Sequence, residues 1–291
     1  DVQSAADVFR PVYDKTSGRD GYVSLEVNPH LAHDTAGTIQ EARRLWASLD
    51  RPNVFIKVPA SDEGLPAIRQ LISEGINVNV TLLFGLPRYR QVTEAYLAGI
   101  EDRVAQGKAV KNVASVASFF VSRMDTLVDP LLKKLGEQAG EKAELAKNLL
   151  GQVAVANSKA AYQIYKATFA GERFTKLAQH GARIQWLLWA STSTKDPRYV
   201  DVKYVDELIG PNTINTVPPN TLDAYRDHGD PKVRIEQDLD KAYWVLEQLP
   251  GLGINIDQVT QQLENEGDEK FAEPFDKLMQ TLEKILPVTA R

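Results

Sequence analysis

Asn53-Val-Phe-Ile-Lys-Val-Pro59 is the stretch on which the fold turns, because a single cation stands in the middle of an apolar run. Strand alternation puts Val54, Ile56 and Val58 on one face and Phe55 and Lys57 on the other. Three further runs share the pattern. In Tyr22-Val-Ser-Leu-Glu-Val27, Val23, Leu25 and Val27 oppose Ser24 and Glu26. In Ile76-Asn-Val-Asn-Val-Thr-Leu82, Val78, Val80 and Leu82 oppose Asn77, Asn79 and Thr81. The run Ala114-Ser-Val-Ala-Ser-Phe-Phe-Val121 carries Ser118 and continues to Arg123. An outer face washed by water explains one such strand, and an edge strand carrying a lysine against aggregation would explain Lys57 alone. Helices between the strands would cover the outside of the sheet, so the polar groups of several strands must share an interior.

Those helices are legible. From Ala36 to Leu49 the apolar positions Ile39, Ala42, Leu45, Trp46 and Leu49 have helical spacing, and Arg51-Pro52 ends the segment. Pro87 to Val104 follows the next strand, with Val92, Ala95, Tyr96, Gly99 and Ile100 on one side. Thirty-one positions lie between Glu26 and Lys57 and 24 between Lys57 and Thr81, about the length of a strand-helix-strand unit. Farther on, Arg183 to Ser191 and Asn212 to Val217 read as strands, and Thr126 to Leu135 and Glu141 to Ala167 as helix. The tail from Lys232 also reads as helix, with Leu239, Tyr243 and Leu246, then Phe271, Phe275, Leu278, Leu282 and Ile285 at apolar positions. Strands repeatedly separated by helices predict a parallel sheet, here with six of the eight strands of an (α/β)8 barrel. Residues 1–291 then form one α/β-barrel domain, incomplete at its N-terminal side, with residues 232–291 as helices packing on the barrel.

Composition agrees with an enzyme-sized globular chain. The 291 residues are 43% hydrophobic and 25% charged, enough apolar content for a large core. Cysteine is absent, which rules out disulfides and thiolate chemistry in this chain and offers no support for an oxidising compartment, so a cytoplasmic location is expected. No run of 18 apolar residues occurs. A net charge of −5 without a basic run argues against nucleic acid and anionic membranes as partners.

Several chemistries fail on inspection. His30, His33, His180 and His228 are scattered, none at the spacing of a helical metal pair, and His30 and His33 read as loop residues. Neither a nucleotide phosphate loop of the G-x-x-x-x-G-K-[ST] kind nor a dinucleotide fingerprint is present, and Gly251-Leu-Gly253 reads as a turn. No G-x-S-x-G elbow is found. Lysine chemistry without a cofactor remains. A lysine among apolar neighbours loses hydration of its ammonium form, which favours the neutral amine that attacks a carbonyl to form a Schiff base. A carboxylate one strand away, Glu26, is placed to move protons through one water, or simply to pair with the lysine. Asn77 reads as a residue that bonds backbone at the strand's entry, outside any site.

The strings Val23-Ser-Leu-Glu-Val27, Phe55-Ile-Lys-Val-Pro-Ala60, Gly75 to Phe84, Ser118-Phe-Phe-Val-Ser-Arg123 and Trp189-Ala-Ser-Thr-Ser-Thr-Lys195 together resemble transaldolases of a bacterial type, in order and spacing across nearly the whole chain. The resemblance implies an (α/β)8 barrel transferase of the pentose phosphate pathway that needs no cofactor. Such an enzyme moves a dihydroxyacetone unit from sedoheptulose 7-phosphate or fructose 6-phosphate to glyceraldehyde 3-phosphate or erythrose 4-phosphate. It further implies that Lys57 is the Schiff-base lysine, Glu26 the general acid and base acting through water, and Thr81 the residue orienting that water. Asn79 and Ser118 would contact the sugar, Arg123 would hold the phosphate as a bidentate partner, and Ser191 would belong to the phosphate loop. Where the related pattern has an arginine after Ala-Ser, this chain has Thr192-Ser193-Thr194-Lys195, so Lys195 is the expected second phosphate cation, a point charge without the planar fork.

The family's first two strands, with a catalytic aspartate and an asparagine, have no counterpart, and Asp1 to Arg10 reads as a helix before the third strand. A preceding segment, from the same precursor or a separate chain, is therefore expected to complete the barrel. Two other functions stay open at this point. Another class I aldolase would release the three-carbon unit freely, and a non-catalytic sugar-phosphate-binding barrel would bind without covalent trapping. The chain as half of a larger fused polypeptide is a further possibility.

Overall fold

Alternation of apolar runs with helix-periodic segments produces six parallel strands in sequence order, each followed by helix. The structure, a computed structural model, describes residues 1–285. Helix α1 (Val2–Lys15) precedes β1 (Val23–Glu26), and α2 (Thr35–Leu49), β2 (Val54–Pro59), α3 (Gly64–Glu74), β3 (Val78–Leu83), α4 (Leu86–Ala105) and β4 (Ser115–Phe120) follow. Then come α5 (Ser122–Gly136), α6 (Glu141–Leu149), α7 (Val153–Ala170), α8 (Glu172–Gln179) and β5 (Gln185–Ala190). The chain continues through α9 (Lys203–Glu207), β6 (Thr213–Asn215), α10 (Pro219–His228), α11 (Leu239–Gln248) and α12 (Ile256–Ile285). A parallel sheet wound with helices is the α/β-barrel architecture that the alternation predicts.

Local chemistry sets the boundaries. Asp34 caps α2 by accepting from the Gly37 N–H at 2.9 Å, an interaction worth about 1 kcal/mol. Gly75 ends α3 at φ +89°, in the left-handed region where a side chain would be strained. Asn77, read as a backbone-bonding residue, donates to the carbonyls of Pro52 (3.0 Å) and Val54 (3.2 Å) and accepts from the Ala114 N–H (2.9 Å). It thereby laces the entry ends of three strands.

Register decides what the strands share. Glu26 is level with Lys57, and Lys57 with Asn79; Pro59 is level with Thr81. These side chains face inward, while Val54, Ile56, Val58, Val78 and Val80 are fully buried on the other face beneath the helices. Burial of such a side chain stabilises by about 1.5–3 kcal/mol, so a one-residue slip that reversed the faces would be strongly opposed. Strand β2 lies between β1 and β3, which overturns the edge-strand explanation of Lys57.

Several boundaries differ from the periodic reading. The helix over 141–167 is two helices, because Gly151 at φ +69° turns the chain and its N–H is bound to Asp129 Oδ1 at 2.9 Å. Helix α5 begins at Ser122, so Arg123 lies in its first turn and not on a strand extension. The tail from Lys232 is not continuous helix; α11 starts at Leu239, and the Gly251–Gly253 turn separates it from α12. Strand β6 is three residues long, shorter than the run read at 212–217, and α10 was not anticipated. Along α12, Leu278 and Leu282 are exposed, and the side chain of Ile285 lies outside the described ones. Among the described residues, no helix is long and apolar enough to cross a membrane.

Candidate active site

The inward face gathers its polar groups toward the C-terminal ends of the strands, where barrel active sites are built. Lys57 Nζ donates to Glu26 Oε2 at 2.9 Å, and the two side chains are only 22% and 19% exposed. The carboxylate therefore meets the amine directly, at a distance that permits proton exchange. One strand over, Ser118 Oγ donates to Asn79 Oδ1 (2.7 Å) and Asn79 Nδ2 donates to Ser24 Oγ (3.1 Å). This line of hydrogen bonds fixes the Asn79 amide beside Lys57, with its oxygen turned to Ser118.

Thr81 is fully buried, and its Oγ1 has no hydrogen-bond partner among the described residues. An unsatisfied buried hydroxyl costs about 1–3 kcal/mol, so Thr81 Oγ1 is left with hydrogen-bonding capacity that its described neighbours do not use. Immediately after it, Leu82 adopts φ +56° where the β3–β4 register shifts. Leucine is disfavoured in that region, and such outliers concentrate at functional sites. Ser191 at the end of β5 has the same feature, φ +56°.

The start of α5 brings Ser122, Arg123 and Ser191 together. The Ser122 N–H donates to the Ser191 carbonyl (3.0 Å), and the two hydroxyls lie 2.9 Å apart, so the end of β5 is stapled to the start of α5. The first turn of a helix favours negative charge, and Arg123 adds a guanidinium there. Its Nη1 is buried without a partner among the described residues, and Cζ lies 5.1 Å from the Phe120 ring centroid. Burial lowers the guanidinium's pKa from its usual value and Glu266 opposes that, but the group remains charged.

The same helix anchors the loop after β5. Asp125 accepts from the Ala154 N–H (2.7 Å), Tyr204 Oη (2.8 Å) and Lys203 Nζ (3.4 Å), while Asp129 accepts from Tyr199 Oη. Burial pushes the Asp125 carboxyl above the usual carboxylate range, with Lys203 and the Ala154 N–H acting against it. Lys195, on this loop, is exposed; its Nζ donates to Ser193 Oγ at 2.6 Å, and it lines a separate cavity with Asp129, Lys133 and Asp196. Asp125 and Asp129 were not anticipated as positioning residues; their only trace in the sequence is an acidic i, i+4 pair on a helix with an apolar face.

Phe271 is the other group that sequence reasoning missed as a site residue. It was legible only as one apolar position of the tail, yet its ring centroid lies 5.3 Å from Lys57 Nζ and 6.0 Å from Arg123 Cζ.

A parallel α/β sheet with an amine and a carboxylate in contact on its inward face, and a half-buried arginine at a helix start nearby, is the framework of a sugar-phosphate aldol enzyme of the barrel class. The sequence model of the Transaldolase/Fructose-6-phosphate aldolase family matches residues 1–282, and this chain belongs to that family. A protein named Transaldolase from Trichodesmium erythraeum (strain IMS101) is 50% identical over 99% of this chain and 78% of the relative. Transaldolase 2 from Nostoc punctiforme is 48% identical over 99% of the chain and 77% of that protein. Transaldolase 1 from Streptomyces coelicolor is 50% identical over 98% and 74% respectively.

Proposed function

We propose that this protein is a transaldolase that moves a dihydroxyacetone unit between sugar phosphates through a Schiff base on Lys57. The single observation that carries the reading is the 2.9 Å contact between Lys57 Nζ and Glu26 Oε2 on the inward face, set in a chain of this family. Fructose 6-phosphate or sedoheptulose 7-phosphate is the donor, and erythrose 4-phosphate or glyceraldehyde 3-phosphate the acceptor. Glu26 takes the proton that the amine sheds on attacking the C2 carbonyl, and returns it as the carbinolamine loses water. It then removes the C4 hydroxyl proton as the C3–C4 bond breaks. Thr81 supplies a hydroxyl for the shuttling water, Asn79 and Ser118 orient the sugar, and Arg123, with Ser191, takes the phosphate, while Lys195 faces a separate cavity and is left out of that role.

Replacing Glu26 with Gln keeps the shape and a hydrogen bond to the amine but removes the base. Turnover is expected to fall by about 10²-fold or more while donor binding persists. Steady-state kinetics beside donor binding by calorimetry checks this, and unchanged turnover would remove Glu26 from the mechanism. Borohydride reduction with fructose 6-phosphate, then peptide mapping, tests Lys57 itself. The family name also covers aldolases, and dihydroxyacetone release without acceptor separates the two activities.

We further infer that residues 1–291 act as one domain completed by two more strands, supplied by a preceding segment or a separate chain. Support comes from the outer edges of β1 and β6, unpaired among the described residues, and from a cavity of about 140 Å³ between them lined by Tyr22, Ser24, Phe55, Trp186 and Ile214. Exposed edges of this kind invite further pairing. Amide hydrogen exchange on the enzyme isolated from cells is the check. Protection of Val23–Glu26 and Thr213–Asn215 equal to that of β3 is expected, and rapid exchange would count against the added strands. A cytoplasmic location belongs to the same reading, since its substrates are phosphorylated sugars, and cell fractionation would contradict it by finding the activity elsewhere.

A further inference from the structure

Helix α12 packs against β3, α5 and the short 3-10 helix at Pro29–Leu31, and its course is pinned on both sides of one residue. Before that residue, Glu264 Oε1 pairs with Arg88 Nη2 at 3.2 Å, and Gly267 backs onto Leu82 so closely that a Cβ would stand 3.0 Å from Leu82 Cδ2. After it, Asp276 Oδ1 lies 2.7 Å from His30 Nε2, and the Phe275 ring meets the His30 ring nearly edge-on at 6.2 Å. Between these anchors the partly buried Phe271 ring covers two cations from different elements, Lys57 on β2 and Arg123 on α5. An aromatic ring attracts a cation with its face but offers no proton and no lone pair for chemistry. It takes up room at the amine that water would otherwise fill.

We propose that Phe271 is a specificity-determining residue that keeps water from the three-carbon intermediate on Lys57, so that this unit passes to an acceptor aldehyde. The inference rests on the Schiff-base reading and deepens it. After C3–C4 cleavage the aldehyde carries the phosphate away, and the enamine left on Lys57 is a short unit with no claim on Arg123. In transfer, the enamine carbon bonds to the acceptor's aldehyde carbon, whose oxygen takes a proton. The iminium so formed is hydrolysed by one water to the new ketose phosphate and the free amine. In release, a proton adds to the enamine carbon, one water adds to the iminium carbon, and the C–N bond breaks to give dihydroxyacetone and the amine. Release needs proton and water at the short intermediate, and Phe271 stands where they would enter. A full-length sugar phosphate spans Lys57 and Arg123, holds the ring aside and admits water only after the new C–C bond exists.

The test compares dihydroxyacetone release from fructose 6-phosphate alone with transfer to erythrose 4-phosphate. Phe271→Ala is expected to raise the release-to-transfer ratio about tenfold, because excluding water protects a reactive intermediate. Phe271→Ser should do the same, and Phe271→Leu, which restores an apolar cover, should stay within about threefold of the starting ratio. Far-UV circular dichroism identifies which variants fold, and any folded Ala or Ser variant decides the matter. If such a variant shows the original ratio while borohydride still traps the adduct on Lys57, the role of Phe271 is overturned and the Schiff-base reading stands. If the unaltered enzyme yields no Lys57 adduct, the Schiff-base reading falls and the role of Phe271 with it.

Discussion

Lys57→Met is expected to reduce turnover by about 10⁴-fold or more, equivalent to ~5.5 kcal/mol of barrier, and to abolish borohydride-dependent labelling. The size follows from the kind of group lost. Among the described residues Lys57 is the amine paired with Glu26, so cleavage loses its electron sink instead of having it weakened. Methionine has nearly the length of lysine and no branch, so it occupies the same slot under the Phe271 ring. Glu26 loses its partner, but at 19% exposure its carboxylate can recruit water, which keeps the structural cost small. Unchanged thermal unfolding together with lost turnover assigns the effect to chemistry. Appreciable transfer by the folded variant would sink the Schiff-base mechanism.

Arg123→Ala carries the second-largest effect, and it depends on the donor. Hydrogen bonds to charged groups are worth about 1.5–3 kcal/mol each, so loss of a bidentate phosphate contact predicts a fall in kcat/KM of roughly 10²–10³-fold for fructose 6-phosphate. For unphosphorylated donors such as fructose or dihydroxyacetone the fall should be about threefold or less, the remainder of lost packing against Phe120. Arg123→Lys keeps a point charge without the planar fork and should fall between the two. Equal losses for phosphorylated and unphosphorylated donors would dismiss Arg123 as the phosphate partner. The unpartnered, buried Nη1 is the structural reason to expect a large discrimination.

The two experiments read opposite ends of one tract, and α12 lies over it. Much of the tract was legible from local pattern. Alternation placed Glu26, Lys57, Asn79 and Thr81 on inward faces, and register aligns Glu26 with Lys57 and Lys57 with Asn79. Of the two histidines read as loop residues, His33 lies in a turn with Nδ1 3.2 Å from Glu63 Oε2, whereas His30 lies in a short 3-10 helix over Pro29–Leu31.

Other features had no local signature. Ser191 and Arg123 are 68 positions apart, and their approach depends on the staple between Ser191 and Ser122. Lys195 follows Ser191 closely in sequence, yet the loop held by Asp125 and Asp129 carries it toward a different cavity.

By itself the sequence determined the strand-helix alternation, the inward face of each strand, the amine and carboxylate that share it, and the family, because side-chain periodicity and short motifs are written within a few residues. Only the tertiary structure decided that α5 starts early enough to put Arg123 in its first turn, that the helical stretch breaks at Gly151, and that α12 brings Phe271 over Lys57. Those outcomes depend on contacts between distant segments, Gly151 with Asp129, Gly267 with Leu82 and His30 with Asp276, whose energies no window of sequence contains.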